Sequence, residues 1–299
     1  MSGRLSPDKL PPLRELGDLK RIFSADRGGS IAERLFVDGW RGLAAGVAPD
    51  EVMARVCAAA IAAGRLGDLD RAKLVELGLE DDADAILGRA FDEIGEGLLE
   101  PSLAQRLHPA LAKGARFDGE PPEFALTLAR QPRAGVTCPG KPRIMLTPAE
   151  NHAEHCMLVT LYGVIAAPWQ DADPTEVFLA GMSHHFHSAM MPDSGFSGEI
   201  LLGDKLDAAI GNAREAAMRE LDEPLLGAIR AALEPIASDE TPEARAFHVG
   251  DVLDRVFEIE QHLTRAAVTM DLVLGEYGLV HDGPVKAYHD TVLAEAGLG

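Results

Sequence analysis

Positive charge is scarce in this sequence. Its 299 residues include 28 lysines and arginines against 48 aspartates and glutamates, which gives a formal net charge of −20 at pH 7. This excess repels nucleic-acid backbones and anionic membrane surfaces, so we expect neither as a partner. A small anionic substrate would instead need a local positive centre, such as a metal ion.

Cysteines and long apolar runs are also few. The three cysteines, Cys57, Cys138 and Cys156, are widely spaced, and they form neither a CxxC pair nor a disulfide framework. The stretch 1–16 lacks the apolar core of a signal peptide, and no apolar run approaches the roughly 20 residues of a membrane span. We therefore expect a cytoplasmic protein.

Aromatic residues make up only 5% of the chain, whereas Ala, Leu, Glu and Asp are abundant, which favours helices over sheets. Helix-capping signals support this. Ser30 with Glu33 forms a predicted capping box, and Thr147, Asp173 and Thr241 are each followed by a proline at the first helical position. The sequence therefore predicts an all-α fold.

The segment 131–148 is rich in proline and glycine and cannot form a continuous helix. We place a boundary there, between an N-terminal helical region (1–140) and a second helical domain (141–299). The alternative is that the N-terminal helices pack against the second half as one all-α unit. The sequence does not separate these two arrangements.

Histidines are concentrated in two stretches of the second half. The sequence FLAGMSHHFHSAMMPDSGFSGE, residues 178–199, places His184, His185 and His187 at the end of an apolar predicted helix. The preceding predicted helix carries His152 and His155, which are three residues apart and so share a face. Side chains with strong metal affinity are rarely clustered this tightly on a structural helix.

A third predicted helix starts at Thr241 and runs to about Gly275. Its apolar stripe consists of six residues: Val249, Val252, Leu253, Val256, Ile259 and Leu263. Asp251 and Asp254 lie off the centre of that stripe. Periodicity alone therefore predicts that both aspartates face solvent.

Together, these stretches resemble the HD-domain metal-dependent phosphohydrolase superfamily, in which a histidine, a His-Asp pair and a later aspartate come from successive helices. HAEHC resembles the first block and places His155 at its histidine. LAGMSHHFHSAMMPD resembles the second, with His184 at the histidine and His185 where the family has aspartate. HVGDVLDRV resembles the last block, with Asp251 as its aspartate and Asp254 as the alternative.

The resemblance covers about residues 143–275. It implies an HD-domain-like helical bundle with an N-terminal helical extension, and a metal site made by His155, His184, His185 and Asp251. A histidine at position 185 cannot bridge two ions as a carboxylate does, and nitrogen-rich sites suit Zn, Mn, Fe, Co or Ni better than Mg. We therefore expect about one divalent transition-metal ion per chain.

The alternative to His185 is His187, which lies three residues after His184 on the same helical face. Asp193 or Glu199, in the turn and segment that follow, is the predicted general base or water-orienting group. Arg143 either contacts a phosphate or is an ordinary surface arginine.

The resulting prediction is hydrolysis of a small, nucleotide-like phosphate ester through a metal-bound water. One alternative is an HD-type diiron oxygenase, which the extra histidines favour and the missing bridging aspartate opposes. The other is a non-catalytic HD-domain protein with a binding or regulatory role. The expected partner is a small anionic substrate, and the sequence leaves a homo-oligomer open.

Overall fold

The computed structural model describes residues 5–267, 269 and 286–296, and over these residues the chain is helical. Extended backbone pairs there only as isolated bridges, and no strand forms. This confirms the predicted all-α class. None of the described helices combines the length and the apolar character needed to cross a membrane.

The first seven α-helices precede the Pro/Gly-rich segment. They are α1 (Leu10–Gly17), α2 (Ile31–Ala44), α3 (Pro49–Leu66), α4 (Arg71–Glu76), α5 (Ala83–Gly95), α6 (Pro101–Leu107) and α7 (Glu123–Arg130). The remaining ones are α8 (His152–Ala166), α9 (Pro174–Ser183), α10 (Gly195–Leu202), α11 (Leu206–Met218), α12 (Leu225–Leu233), α13 (Pro242–Ala267) and α14 (Lys286–Ala296). Short 3-10 helices interleave with them; two matter below, Asp18–Lys20 and Phe186–Ala189.

The chain divides into two compact units, Met1–Arg255 and Val256–Gly299. The predicted division at residue 140 therefore falls inside the first unit, where α2 packs on α8. Trp40 of α2 contacts Phe124 edge-to-face at 4.8 Å and Phe186 at 5.2 Å between ring centroids. The N-terminal helices thus pack against the second half, as in the one-unit alternative.

Helix α8 is the centre of the first unit. All of its residues are buried, and they are apolar around the whole circumference after the first turn, as expected for a helix enclosed on every side. It begins at His152, not after Thr147 as predicted. Asn151 caps it, because the Asn151 side chain accepts from Glu154 N and the Glu154 carboxylate accepts from Asn151 N, both at 2.9 Å.

The other predicted helix starts are present. Ser30 Oγ accepts from Glu33 N at 3.2 Å, and Asp173 accepts from Thr175 N at 2.8 Å. Thr241 Oγ1 accepts from Ala244 N at 3.1 Å at the start of α13. The predicted end of that helix, near Gly275, lies outside the described residues.

Glycines let two helices approach α8 closely. A Cβ added at Gly181 of α9 would lie 2.5 Å from Thr160 Oγ1, and one added at Gly250 of α13 would lie 2.3 Å from Val159 O. Both distances are too short for any side chain. The absence of a side chain at these positions brings the end of α9 and the middle of α13 to the same face of α8.

Candidate metal centre

His155 lies on that face of α8 and is fully buried. Its Nδ1 donates to Asp254 Oδ2 of α13 at 2.7 Å. The other carboxylate oxygen, Asp254 Oδ1, lies 2.6 Å from the ammonium of Lys20, which also contacts Glu150 Oε2 at 2.5 Å. Asp254, which Lys20 holds in place, thus fixes the orientation of the His155 ring. The other ring nitrogen, Nε2, is then available to a metal ion.

His184 directly follows α9, and a backbone carbonyl fixes its tautomer. Its Nδ1 lies 2.7 Å from Gly181 O, which can only accept, so the proton is on Nδ1. His184 Nε2 is then a lone pair, and it lies 3.3 Å from His155 Nε2. With the His155 proton assigned to Nδ1, where the Asp254 carboxylate accepts it, two unprotonated imidazole nitrogens face each other.

His185 completes a three-histidine cluster with His155 and His184. One ring nitrogen from each lies within 4.8 Å of the others. Neighbouring residues of a regular helix point about 100° apart, but α9 ends at Ser183 and the backbone at His185 has already left helical geometry (φ −101°, ψ 21°). The helix end therefore lets two adjacent histidines share one centre.

His187, the alternative to His185, lies farther out. Its ring centroid is 5.2 Å from that of His185, and it does not belong to the described group of nitrogens that could share an ion. It sits in the 3-10 helix Phe186–Ala189. The geometry thus brings His185, and not His187, to His155.

The two aspartates of α13 approach opposite nitrogens of His155. Asp251 Oδ1 lies 3.7 Å from Nε2, on the side of the free nitrogens, and the same carboxylate pairs with Arg255 at 2.9 Å. Asp254 holds Nδ1. Asp254 is therefore the carboxylate that orients His155, an arrangement common around metal-bound histidines. Asp251 is the candidate fourth ligand on the side of the free nitrogens, although it lies outside the described group of three histidine nitrogens that could share an ion.

The prediction that both aspartates face solvent was wrong for Asp254, which is 1% exposed, whereas Val252 of the predicted apolar stripe is 55% exposed. The buried face of α13 contains Phe247, Gly250 and Asp254. Periodicity missed it because an ion-paired aspartate and a glycine occupy positions where apolar side chains were expected.

Glu150, His155 and Asp254 also have oxygens and a nitrogen close enough to share an ion. Here, however, the Lys20 ammonium already contacts both carboxylates. The cation between Glu150 and Asp254 is a lysine, so the three-histidine cluster is the better metal site.

Burial keeps the cluster neutral. It lowers the pKa of His184 to about 3, and it holds the pKa values of His155 and His185 well below the usual range. Burial also raises the pKa of Asp254 to about 7, against the opposing effect of Lys20. Neutral imidazoles are the form that binds metal ions, so the chemistry of this donor set fits a transition-metal ion.

The predicted catalytic acids differ in position. Asp193 lies beside the cluster, with Oδ2 3.9 Å from His152 Nε2, and its two oxygens accept from Ala134 N at 2.9 Å and Gly195 N at 2.8 Å. The side chain of Glu199, on α10, makes no hydrogen bond or ion pair with any described residue, and its backbone carbonyl accepts from Gly203 N.

Arg143 is held by two carbonyls, Ala134 O at 2.9 Å and Ser194 O at 3.3 Å. It therefore ties the segment before α8 to the turn after the histidines. This is a structural role, different from the phosphate contact that was one of its two predicted uses.

Sequence reasoning missed a set of polar side chains next to the cluster, here called the distal polar group: Arg133, His152, His187 and Arg214. Each has at least one buried nitrogen without a hydrogen-bond partner among the described residues. His152 connects the group to the cluster, because its ring centroid lies 4.7 Å from that of His185. The histidines were visible in the sequence, but no local pattern marked the two arginines.

Comparisons with protein-family models, with curated proteins and with solved structures give no match to this chain.

Proposed function

We propose that this protein is a metal-dependent phosphohydrolase with an HD-domain-like site, in which His155, His184, His185 and Asp251 hold one divalent transition-metal ion. The observation that carries the proposal is the pair of facing nitrogens, His155 Nε2 and His184 Nε2, at 3.3 Å. With both protons on the Nδ1 atoms, two lone pairs meet in a buried site. A cation bound by both nitrogens removes that repulsion.

A divalent ion at this cluster would supply Lewis-acid polarisation of a phosphoryl oxygen and a lowered pKa for water. In ester hydrolysis, a water oxygen forms a bond to phosphorus, the phosphorus–oxygen bond to the alcohol breaks, and one water proton ends on the alcohol. Among the chain's own carboxylates, Asp193 is the candidate for orienting that water, because each of its oxygens accepts one N–H and keeps a lone pair. Glu199 stays a prediction that no contact supports.

The charge balance supports an anionic substrate. Three neutral imidazoles and one carboxylate around a divalent ion leave a local charge of about +1, within a chain whose formal charge is −20. Lys20 pairs with Glu150 and Asp254, and Arg133 pairs with Glu150, so these charges balance one another. The site would thus be a local positive centre that attracts a phosphate ester.

The test is metal analysis of the purified full chain, followed by a metal-supplemented screen of phosphorylated metabolites. We expect about one transition-metal ion per chain, lost in His184→Ala, and release of inorganic phosphate. Two irons per chain would instead favour the diiron oxygenase. No retained metal would favour a non-catalytic protein, in which a protonated Asp254 lets His155 Nε2–H donate to His184.

Cytoplasmic location, a small nucleotide-like substrate and a homo-oligomer remain predictions from the sequence.

A further inference from the structure

The distal polar group contains buried nitrogen atoms that have no hydrogen-bond partner among the described residues. Arg133 Nη1, Arg214 Nε, His187 Nδ1 and both ring nitrogens of His152 are buried without a partner among the described residues. A buried polar group left unpaired destabilises a fold by about 1–3 kcal/mol. Several such groups near His185, whose ring centroid lies 4.7 Å from that of His152 and 5.2 Å from that of His187, therefore point to a ligand that pairs with them.

The four side chains are held by the fold next to the candidate metal site. Arg133 Nε pairs with Glu150 Oε1 at 3.3 Å, so the guanidinium is anchored on one edge while Nη1 stays free. His152 is 1% exposed, and its ring lies tilted against that of His185, with 4.7 Å between the ring centroids. Arg214 lies on α11, which packs on the 3-10 helix that carries His187.

A second cation does not fit this group. Among the described residues, its histidines and Asp193 do not form a set of atoms close enough to share an ion. Two guanidinium groups would also repel a cation. Burial has the largest effect on the pKa of His152 and of His187, and the charges of Arg133 and Arg214, respectively, lower these pKa values further.

An anion matches the chemistry of the group. Guanidinium groups present N–H donors in a planar fork that suits phosphate oxygens, and a neutral imidazole adds one donor more. We propose that the distal polar group is an anion-binding subsite, and that it binds a second phosphate of the substrate next to the phosphate at the three-histidine cluster. The assignment of a second phosphate rests on the proposed function, and it narrows the substrate class to diphosphates.

In the binding test, inorganic phosphate is titrated into the full chain, both metal-free and zinc-loaded. Binding is measured by calorimetry and by the NMR signals of the imidazole nitrogens. We expect saturable binding that shifts the signals of His152 and His187. Arg214→Gln should weaken this binding by about tenfold or more, because a hydrogen bond to a charged group is lost. The matched control is Arg219→Gln, the same change on the exposed residue that directly follows α11, and it should leave the affinity within about twofold.

Arg133→Gln should weaken phosphate binding as Arg214→Gln does, with Arg133→Lys restoring part of it. Because Arg133 also pairs with Glu150, its variants are compared only where circular dichroism matches that of the unchanged chain. Arg214 has no ion pair with a described residue. A loss of phosphate binding in Arg214→Gln therefore cannot come from a broken ion pair. Equal affinities in Arg214→Gln and Arg219→Gln, or phosphate shifts confined to His155 and His184, would overturn the subsite.

The substrate test compares a diphosphate and a monophosphate of the same alcohol. We expect kcat/KM to favour the diphosphate, and Arg214→Gln to reduce that preference about tenfold through KM while Arg219→Gln preserves it. A chain that hydrolyses monophosphates without an Arg214-dependent preference refutes the subsite and leaves the proposed function standing. Arg214-dependent phosphate binding without retained metal or hydrolysis refutes the proposed function and leaves the subsite standing.

Discussion

His155 and Asp254 come from different parts of the chain, yet His155 Nδ1 donates to Asp254 Oδ2 at 2.7 Å, and both residues are almost fully buried. This bond directs His155 Nε2 towards His184. Asp254 in turn is held by the Lys20 ammonium at 2.6 Å. The position of the candidate metal-binding nitrogen thus depends on a lysine near the N-terminus, which explains why the N-terminal helices and the histidine helices belong to one unit.

Asp254→Asn should weaken metal binding without abolishing it. The amide retains the shape of the side chain but not the charge that orients His155, and losses of such supporting groups typically reduce metal affinity about 10–100-fold. Asp251→Asn, which alters a candidate ligand, should reduce the affinity at least as much. Zinc titration against a competing chelator measures both. Unchanged zinc affinity in Asp254→Asn would show that the hydrogen bond does not support the site.

His185→Ala should weaken metal binding, and His187→Ala should not. The reason is that one nitrogen of His185 lies within 4.8 Å of those of His155 and His184, whereas His187 is outside that group. His185→Asp restores the acid that the resemblance places at this position and should keep the metal. The three variants are compared by metal titration. Loss of metal in His187→Ala together with retention in His185→Ala would reverse the assignment.

The metal-free protein should lose stability as the pH falls from about 6.5 towards 4. Burial lowers the pKa of His152 and His184 to about 3 and that of His187 to about 4, whereas a histidine in an unfolded chain titrates near 6.5. Between those values the unfolded chain binds more protons, so the free energy of unfolding decreases with decreasing pH. Asp254, with its pKa raised to about 7, acts in the opposite direction, as do Glu33, Glu154 and Glu176, whose pKa values burial raises. The histidines outweigh these carboxyl groups over this pH range, because burial also holds the pKa values of His155 and His185 well below the usual range.

Urea midpoints of the metal-free chain at pH 7 and pH 5 test this prediction. His152→Gln should make the decrease smaller, because one depressed histidine is removed. His108→Gln is the control, since the side chain of His108 is 47% exposed. A midpoint that stays level or rises on acidification would show that the buried histidines do not control the pH dependence.

Gly250→Ala should destabilise the fold and weaken metal binding together. The added Cβ would lie 2.3 Å from Val159 O, so α13 would have to move away from α8 and carry Asp251 with it. Overpacking of this kind lowers the free energy of unfolding by about 1–3 kcal/mol.

Gly211→Ala, in helix α11, is the matched control, because nothing lies within 4 Å of its added Cβ. There the same substitution should stabilise the helix by about 0.5–1 kcal/mol. Urea unfolding and zinc titration of both variants provide the comparison. Equal stability changes in the two would contradict the close approach of α13 to α8.

The sequence by itself determined the helical class, most helix starts and the histidines that are candidate metal ligands. Capping side chains such as Ser30 and Asp173 act on backbone groups two or three residues away, so local spacing is enough to find them. The same holds for His184 and His185, which are adjacent in the chain and lie at the end of a predicted helix. Where two local signals competed, as at Thr147 and Asn151, the helix start followed the residue whose side-chain bonds are completed by Glu154.

Only the tertiary structure decided the division of roles between Asp251 and Asp254, the use of Lys20 as the buried counter-ion, and the grouping of Arg133 with Arg214. Helical periodicity records which positions are apolar, and it assigns a charged residue to the surface. Asp254 is buried because Lys20 balances its charge at one carboxylate oxygen and His155 donates a hydrogen bond to the other oxygen. Such compensation comes from residues far apart in the chain, and no local pattern of the sequence contains it.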